Sequence, residues 1–203
     1  MKFLKNLAAQ KKQTIVAYGT SLTEGGSWVK ELADQLDKTF FGLTTVINSG
    51  GSGQWSRWGV ENLEERVLQK KPDLVFIEFS VNDSVTRFNS SVAEAQSNLI
   101  NMTQRILKVN SQCEIILMTM TPADKHPIGH FSHRTNIESH YEMVRKEAEK
   151  HQFLLIDHYP NWKALQASEK KRFDQYVPDS IHPTAEGNSK IVSPLIFKTL
   201  NIL

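Results

Sequence analysis

The chain has 203 residues, 24 of them basic and 22 acidic, for a formal net charge of +2, and 39% of it is hydrophobic. That length implies a single domain covering residues 1–203, because domains commonly run to about 100–200 residues. The composition excludes a disordered chain, a collagen-like repeat and a disulfide scaffold, and the even charge gives no reason to expect nucleic acid or an anionic membrane as a partner.

No apolar run approaches the roughly 18 residues that a membrane helix needs. The first residues, Met1 to Lys12, open like a signal peptide, but Lys5 interrupts the apolar part and Gln10-Lys11-Lys12 follows at once. The apolar stretch is too short for a leader, so a cytoplasmic protein, or one whose leader has already been removed, is expected. The single cysteine, Cys113, has no internal disulfide partner and precedes the apolar run Ile115–Met118, which suits a buried structural thiol.

Short apolar runs then alternate with helical patterns. Thr14–Tyr18 is a buried strand ending at Gly19, and Trp28, Val29, Leu32, Ala33 and Leu36 follow at helical spacing. Thr44–Ile47 is a second, β-branched strand that runs into Asn48-Ser49-Gly50-Gly51-Ser52-Gly53. Val60, Leu63 and Val67 fit a helix stopped by Pro72, and Leu74–Phe79 is the third strand. Ser91 and Glu94 form a capping box for a helix carrying Leu99, Met102 and Ile106. Glu114–Met120 is the fourth strand, followed by a long polar loop, a helix over about 136–150, and a fifth strand at Phe153–Asp157. The C-terminus from Ala185 to Leu200 is helical, with a disturbance expected at Pro194.

Strands alternating with helices imply βαβ units, a parallel sheet and an α/β class. Five strands with helices on both faces fit a flavodoxin-like three-layer α/β/α sandwich with a five-stranded parallel sheet. Ligands of such sheets bind beyond the carboxyl ends of the strands, so the loops beginning at Gly19, Asn48, Ser80, Thr121 and Asp157 are the ones to inspect.

Those loops carry a consistent chemistry. Ser21 directly follows the first strand among small residues and suits a nucleophile. His182 suits the base that takes its proton. Asp179, three residues earlier, can accept a bond from one imidazole nitrogen and leave the other for Ser21. Gly53 N–H, the Asn82 amide and Ser21 N–H are candidate oxyanion donors. Each piece taken alone has an ordinary structural reading: a turn serine, a surface Asp-x-x-His, a flexible glycine loop.

In order and separation, four blocks resemble those of the SGNH hydrolases, also called the GDSL esterase/lipase family. Gly19-Thr20-Ser21-Leu22 is similar to the first, Asn48-x-Gly50-x-x-Gly53 to the second, Ser80-Val81-Asn82-Asp83 to the third and Asp179-x-x-His182-Pro183 to the last. The resemblance spans residues 15 to about 190. It implies a serine esterase using a Ser21–His182–Asp179 triad and an oxyanion hole of Ser21, Gly53 and Asn82, with no cofactor and no metal. Two positions depart from the pattern. Thr20 stands where the family has aspartate. Ser80 replaces a glycine, and would be strained if its backbone needs a positive φ.

The remaining candidates concern substrate. The loop Asp124–His133 places His126, His130 and His133 at spacings of four and three. Zinc is one reading, but Pro127 and Gly129 break any helix that would align the rings, and lining the cleft suits His126 and His130 better. Trp55 and Trp58 suit either stacking on a sugar ring or core packing. Thr20 is a further substrate-side candidate. Asp83 reads as a loop brace and Asp157 as a structural carboxylate. With no long apolar lid and with Trp, His, Asn and Ser at the strand ends, a small-molecule or glycan ester is the expected substrate, with O-acetyl groups on a carbohydrate favoured. A lysophospholipase- or thioesterase-like enzyme, a non-catalytic carbohydrate-binding relative and a histidine-based metal hydrolase are the alternatives.

Overall fold

A computed structural model describes residues 1–203. In chain order the elements are α1 (Lys2–Ala8), β1 (Gln13–Gly19), α2 (Ser21–Glu24), α3 (Ser27–Thr39), β2 (Thr44–Asn48), α4 (Ser56–Glu61), α5 (Leu63–Arg66), β3 (Leu74–Glu78), α6 (Ser80–Asp83), α7 (Val92–Val109), β4 (Glu114–Thr119), α8 (Ile137–His151), β5 (Leu154–Asp157), α9 (Tyr159–Ser168), α10 (Lys170–Tyr176), α11 (Ala185–Gly187) and α12 (Ser193–Leu200). All five strands are parallel, in the order β2-β1-β3-β4-β5. That is the flavodoxin-like order, and it places the topological switch between β1 and β3.

Strand alternation sorts the core into two layers. Ile15, Ala17, Leu74, Phe76, Ile116 and Met118 face one side of the sheet, where α1, α3, α9, α10 and α12 cover them with Phe3, Leu7, Trp28, Leu32, Trp162, Phe173 and Ile196. Val16, Tyr18, Val75, Ile77, Ile115 and Leu117 face the other side, against Leu99, Met102 and Ile106 of α7 and Met143 and Val144 of α8. Because the central strands are buried on both faces, they read as unbroken apolar runs rather than alternating ones.

Several expectations change in detail. The leader-like N-terminus is helix α1, and its Phe3 and Leu7 are buried in the core. The predicted helix around Val60–Val67 is broken into α4, α5 and a 3-10 turn at Leu68–Lys70. Ser91 Oγ caps α7 by accepting from Glu94 N–H at 3.0 Å, but the Glu94 side chain pairs with Arg57 instead of completing the box. Pro194 lacks an N–H, and the C-terminal helix absorbs that loss with a π-turn over Asn188–Val192. No helix is long and apolar enough to cross a membrane.

Candidate active site

Three strand ends and one C-terminal loop meet above the switch point. β1 ends at Gly19, and Thr20 turns the chain into α2, its Oγ1 accepting from Leu22 N–H. Ser21 is therefore the first residue of a helix, where its own N–H has no acceptor within that helix. The side chain of Thr20 faces inward. It is fully buried, and its hydroxyl donates to Glu78 Oε2 at 2.8 Å. The expectation that Thr20 touches substrate is thus corrected: the residue anchors Ser21 from below.

The second loop is tied to the first. Asn48 Nδ2 donates to the Thr23 and Glu24 carbonyls at 2.9 and 3.1 Å, and Gly51 N–H donates to Gly19 C=O at 2.9 Å. Gly50 packs so closely that a Cβ there would lie 2.3 Å from the Glu24 backbone nitrogen. A turn closed by Gln54 N–H on Gly51 C=O carries Gly53 at φ +71°, a conformation that favours glycine. Gly53 N–H makes no hydrogen bond within the protein.

The third loop is α6. Ser80 does not have a positive φ, so the serine in place of glycine brings no backbone strain. Asn82 Nδ2 donates one hydrogen to Gln54 C=O at 2.7 Å, which sets the amide beside the Gly53 turn. Asp83 braces the same region by accepting from Ser56 N–H at 2.8 Å. Burial raises the Asp83 carboxyl to about 7.

Asp179 and His182 lie on a tight loop held by the segment after β4. Ser180 sits at φ +63°, Ala123 N–H donates to its carbonyl at 2.9 Å, Thr121 Oγ1 donates to Ile181 C=O at 2.8 Å, and Lys125 N–H donates to Ser180 Oγ at 2.9 Å. Asp179 Oδ1 accepts from the N–H groups of Ile181 and His182 at 2.8 and 2.7 Å, while Oδ2 lies 2.6 Å from His182 Nδ1. The other ring nitrogen, Nε2, is 2.8 Å from Ser21 Oγ, across 161 positions of sequence. A carboxylate only accepts, so Nδ1 carries the proton and Nε2 is free to accept from the Ser21 hydroxyl. Burial acts to raise the Asp179 pKa. The hydrogen bonds from the His182 ring and from the His182 and Ile181 backbone outweigh it and hold the carboxyl below its ordinary value.

The other singled-out residues fall on the rim or in the core. Trp55 is half-buried and stacks on Phe88 at 4.9 Å and 8°, with Arg57 over its ring. Trp58 packs on Tyr18 and Phe79 as part of the core. His126 and His130 stack on each other at 4.2 Å, and His133 Nδ1 is committed to the His126 carbonyl at 2.8 Å. No group of three or more His, Cys, Asp or Glu side chains is placed to hold a metal ion, so these histidines do not form the ligand set a metal hydrolase needs. Asp157 pairs with Arg145 at 2.8 Å.

Residues not singled out from sequence complete the site. Glu78, Glu24 and Arg134 hold its loops, and Arg87 reaches the Gly53 turn, where a Cβ built on Gly53 would lie 3.7 Å from its Nη2. Glu78 alone left a visible signal, an acid inside the apolar run Leu74–Phe79.

A hydroxyl, an imidazole and a carboxylate thus stand in sequential contact at the switch point of this sheet. The chain belongs to the GDSL-like lipase/acylhydrolase family, whose model matches residues 17–190. It is a serine ester hydrolase by class. Comparison with curated proteins finds no match. Among solved structures, a candidate GDSL-like lipase from Parabacteroides merdae is 17% identical with a TM-score of 0.83, covering 95% of this chain and 97% of that one. The acetylxylan esterase Axe2 from Geobacillus stearothermophilus is 19% identical with a TM-score of 0.78 and 94% of each chain covered. A lipase/acylhydrolase from Enterococcus faecalis is 25% identical with a TM-score of 0.75, covering 93% of this chain and 95% of that one.

Proposed function

We propose that the protein hydrolyses short-chain acyl esters, chiefly O-acetyl groups on a carbohydrate, through an acyl-enzyme on Ser21. The Ser21 hydroxyl attacks the ester carbonyl while His182 Nε2 takes its proton. Asp179 keeps the imidazole in the tautomer that presents Nε2 and stabilises the imidazolium. The N–H groups of Ser21 and Gly53 and the second N–H of the Asn82 amide receive the oxyanion. His182 then protonates the departing alcohol, and water repeats the sequence on the acyl-enzyme.

The observation that carries this reading is the unbroken contact from Ser21 Oγ to His182 Nε2 at 2.8 Å and from His182 Nδ1 to Asp179 at 2.6 Å. The unengaged Gly53 N–H supports the oxyanion role. A sugar alcohol is supported by the rim, where Trp55, His126 and His130 offer ring faces and hydrogen-bonding edges. The fold shared with an acetylxylan esterase agrees with it.

The exposed Ile128 and Phe131, in the same loop as His126 and His130, favour a second reading, a lipid-like acyl group. A panel of nitrophenyl acetate, butyrate and octanoate and of acetylated sugars, run with wild type and Ser21→Ala, tests both. Acetyl preference with loss of turnover in Ser21→Ala is expected. Octanoate preference transfers the choice to the lipid reading, and an active Ser21→Ala defeats the mechanism.

A further inference from the structure

The loop between β4 and α8 sends one cation into the site. Arg134 is half-buried, and its backbone is fixed by a bridge to Val85, flanked by Thr86 N–H on His133 C=O at 2.9 Å and Thr135 N–H on Ser84 C=O at 2.8 Å. The guanidinium spreads its donors over three acceptors: Nε to Val81 C=O at 2.9 Å, Nη1 to Ser132 C=O at 2.9 Å and Nη2 to Asn82 Oδ1 at 3.3 Å. All three acceptors are neutral. No ion pair of the protein includes Arg134.

A guanidinium does not shed its proton in a protein, and one partly removed from water whose hydrogen-bond acceptors are all neutral is held at a cost that the more distant Asp179 and Glu78 charges only partly offset. Burial accordingly lowers its pKa. The arrangement becomes favourable when negative charge appears nearby. The Asn82 amide is the bridge. Its oxygen accepts from Arg134, one of its hydrogens goes to Gln54 C=O, and only the second hydrogen is left for the cleft. Were the amide flipped, its NH2 would face the guanidinium donor and its oxygen the Gln54 carbonyl, two unfavourable pairs. Withdrawing electrons at the amide oxygen also makes the free N–H a stronger donor.

We propose that Arg134 is a positioning residue of the oxyanion hole, locking the Asn82 amide with its N–H toward the cleft and lending it positive charge that strengthens its bond to the tetrahedral oxyanion. The inference rests on the serine-esterase mechanism above. An interaction of this kind belongs to the transition state, so its loss lowers kcat and leaves KM nearly unchanged.

The test compares wild type, Ser21→Ala, Asn82→Ala, Arg134→Gln, Arg134→Lys and the Asn82→Ala/Arg134→Gln double variant on nitrophenyl acetate, with melting temperatures alongside and an arylboronic acid as a mimic of the tetrahedral adduct. Arg134→Gln is expected to lower kcat about ten- to a hundredfold, less than loss of a direct donor, with boronate affinity falling in parallel. KM should move by less than about threefold. Arg134→Lys should recover part of kcat, and the double variant should be no slower than Asn82→Ala alone, because one residue acts through the other. Wild-type kcat in Arg134→Gln, a loss confined to KM, or multiplied losses in the double variant would overturn the inference. If Arg134→Gln does not fold, Arg134→Lys decides: unchanged boronate affinity overturns it, weakened affinity with unchanged KM supports it. An active Ser21→Ala would instead defeat the underlying mechanism, so the two failures are separable.

Discussion

The Glu78 carboxyl lies directly beneath Thr20, taking its hydroxyl at 2.8 Å and its backbone N–H at 3.2 Å. The buried acid at the end of β3 thereby sets the start of the turn that presents Ser21. Its second oxygen has no partner. Burial raises its pKa from 4.5 to about 8, against the bonds from Thr20 and Thr23. Between those values the folded protein holds a proton that the unfolded chain has released, so stability falls as pH rises from about 4.5 to about 8. Glu78→Gln has no charge to titrate. Its melting temperature should decline less between pH 5 and pH 8 than that of wild type, with a residual slope left by Asp83. Parallel curves for the two proteins would refute the assignment.

Ser21→Ala removes one oxygen from a half-buried position. It should leave the melting temperature nearly unchanged while kcat/KM on an acetyl ester drops about 10⁴-fold or more. Mass spectrometry after treatment with a fluorophosphonate should find the adduct on wild type and none on the variant.

Asp179→Asn keeps the oxygen that accepts the Ile181 and His182 N–H groups but loses the carboxylate facing Nδ1. Its amide can donate to that nitrogen, favouring the wrong imidazole tautomer. A loss of about 10³- to 10⁴-fold in kcat is expected, with a small change in KM. Because the Asp179 carboxyl is held below its ordinary value, it stays charged across the range in which the enzyme is assayed, and any contribution to stability is present at neutral pH and lost only in strong acid.

Gly50→Ala tests the coupling of the first two loops. The added methyl meets the Glu24 nitrogen and Cα at 2.3 and 2.7 Å, and backbone cannot step aside as a flexible side chain would. Overpacking of this sort costs about 1–3 kcal/mol. Both melting temperature and kcat should fall, since Glu24 closes the helix that begins at Ser21. A fully active, equally stable variant would show that the two loops move independently.

Cys113 should be silent in the native protein. It is buried, and burial, with the Asp73 and Glu114 charges nearby, pushes the thiol up to about 12. Ellman's reagent should find no free thiol until urea unfolds the chain, and then one.

The sheet and the Ser21–His182–Asp179 contact were readable in the sequence because both rest on local, ordered signals. Central strands of a parallel sheet are short apolar runs, and each site residue follows one of them or sits in a compact motif. Helix α1 is not legible from seven residues with lysines among the apolar ones, and it is its packing, with Phe3 and Leu7 in the core, that defines it. Helices α9 and α10 show no apolar stripe in the sequence, since only Trp162 in one and Phe173 and Tyr176 in the other are buried. The inward role of Thr20 is not legible locally, because it depends on β1 and β3 lying side by side so that Glu78 takes its hydroxyl. Arg134 gave no signal, since its role depends on where a long loop returns.

That loop has two feet and a tip. At one foot, Thr121, Ala123 and Lys125 grip the Asp179–His182 turn. At the other, Arg134 grips Asn82. Between them Ile128 stands 89% exposed, and a Cβ built on Gly129 would meet nothing within 4 Å. A change in the length or sequence of the tip is therefore expected to leave the Ser21–His182 distance unaltered, because both anchors of the loop lie outside it.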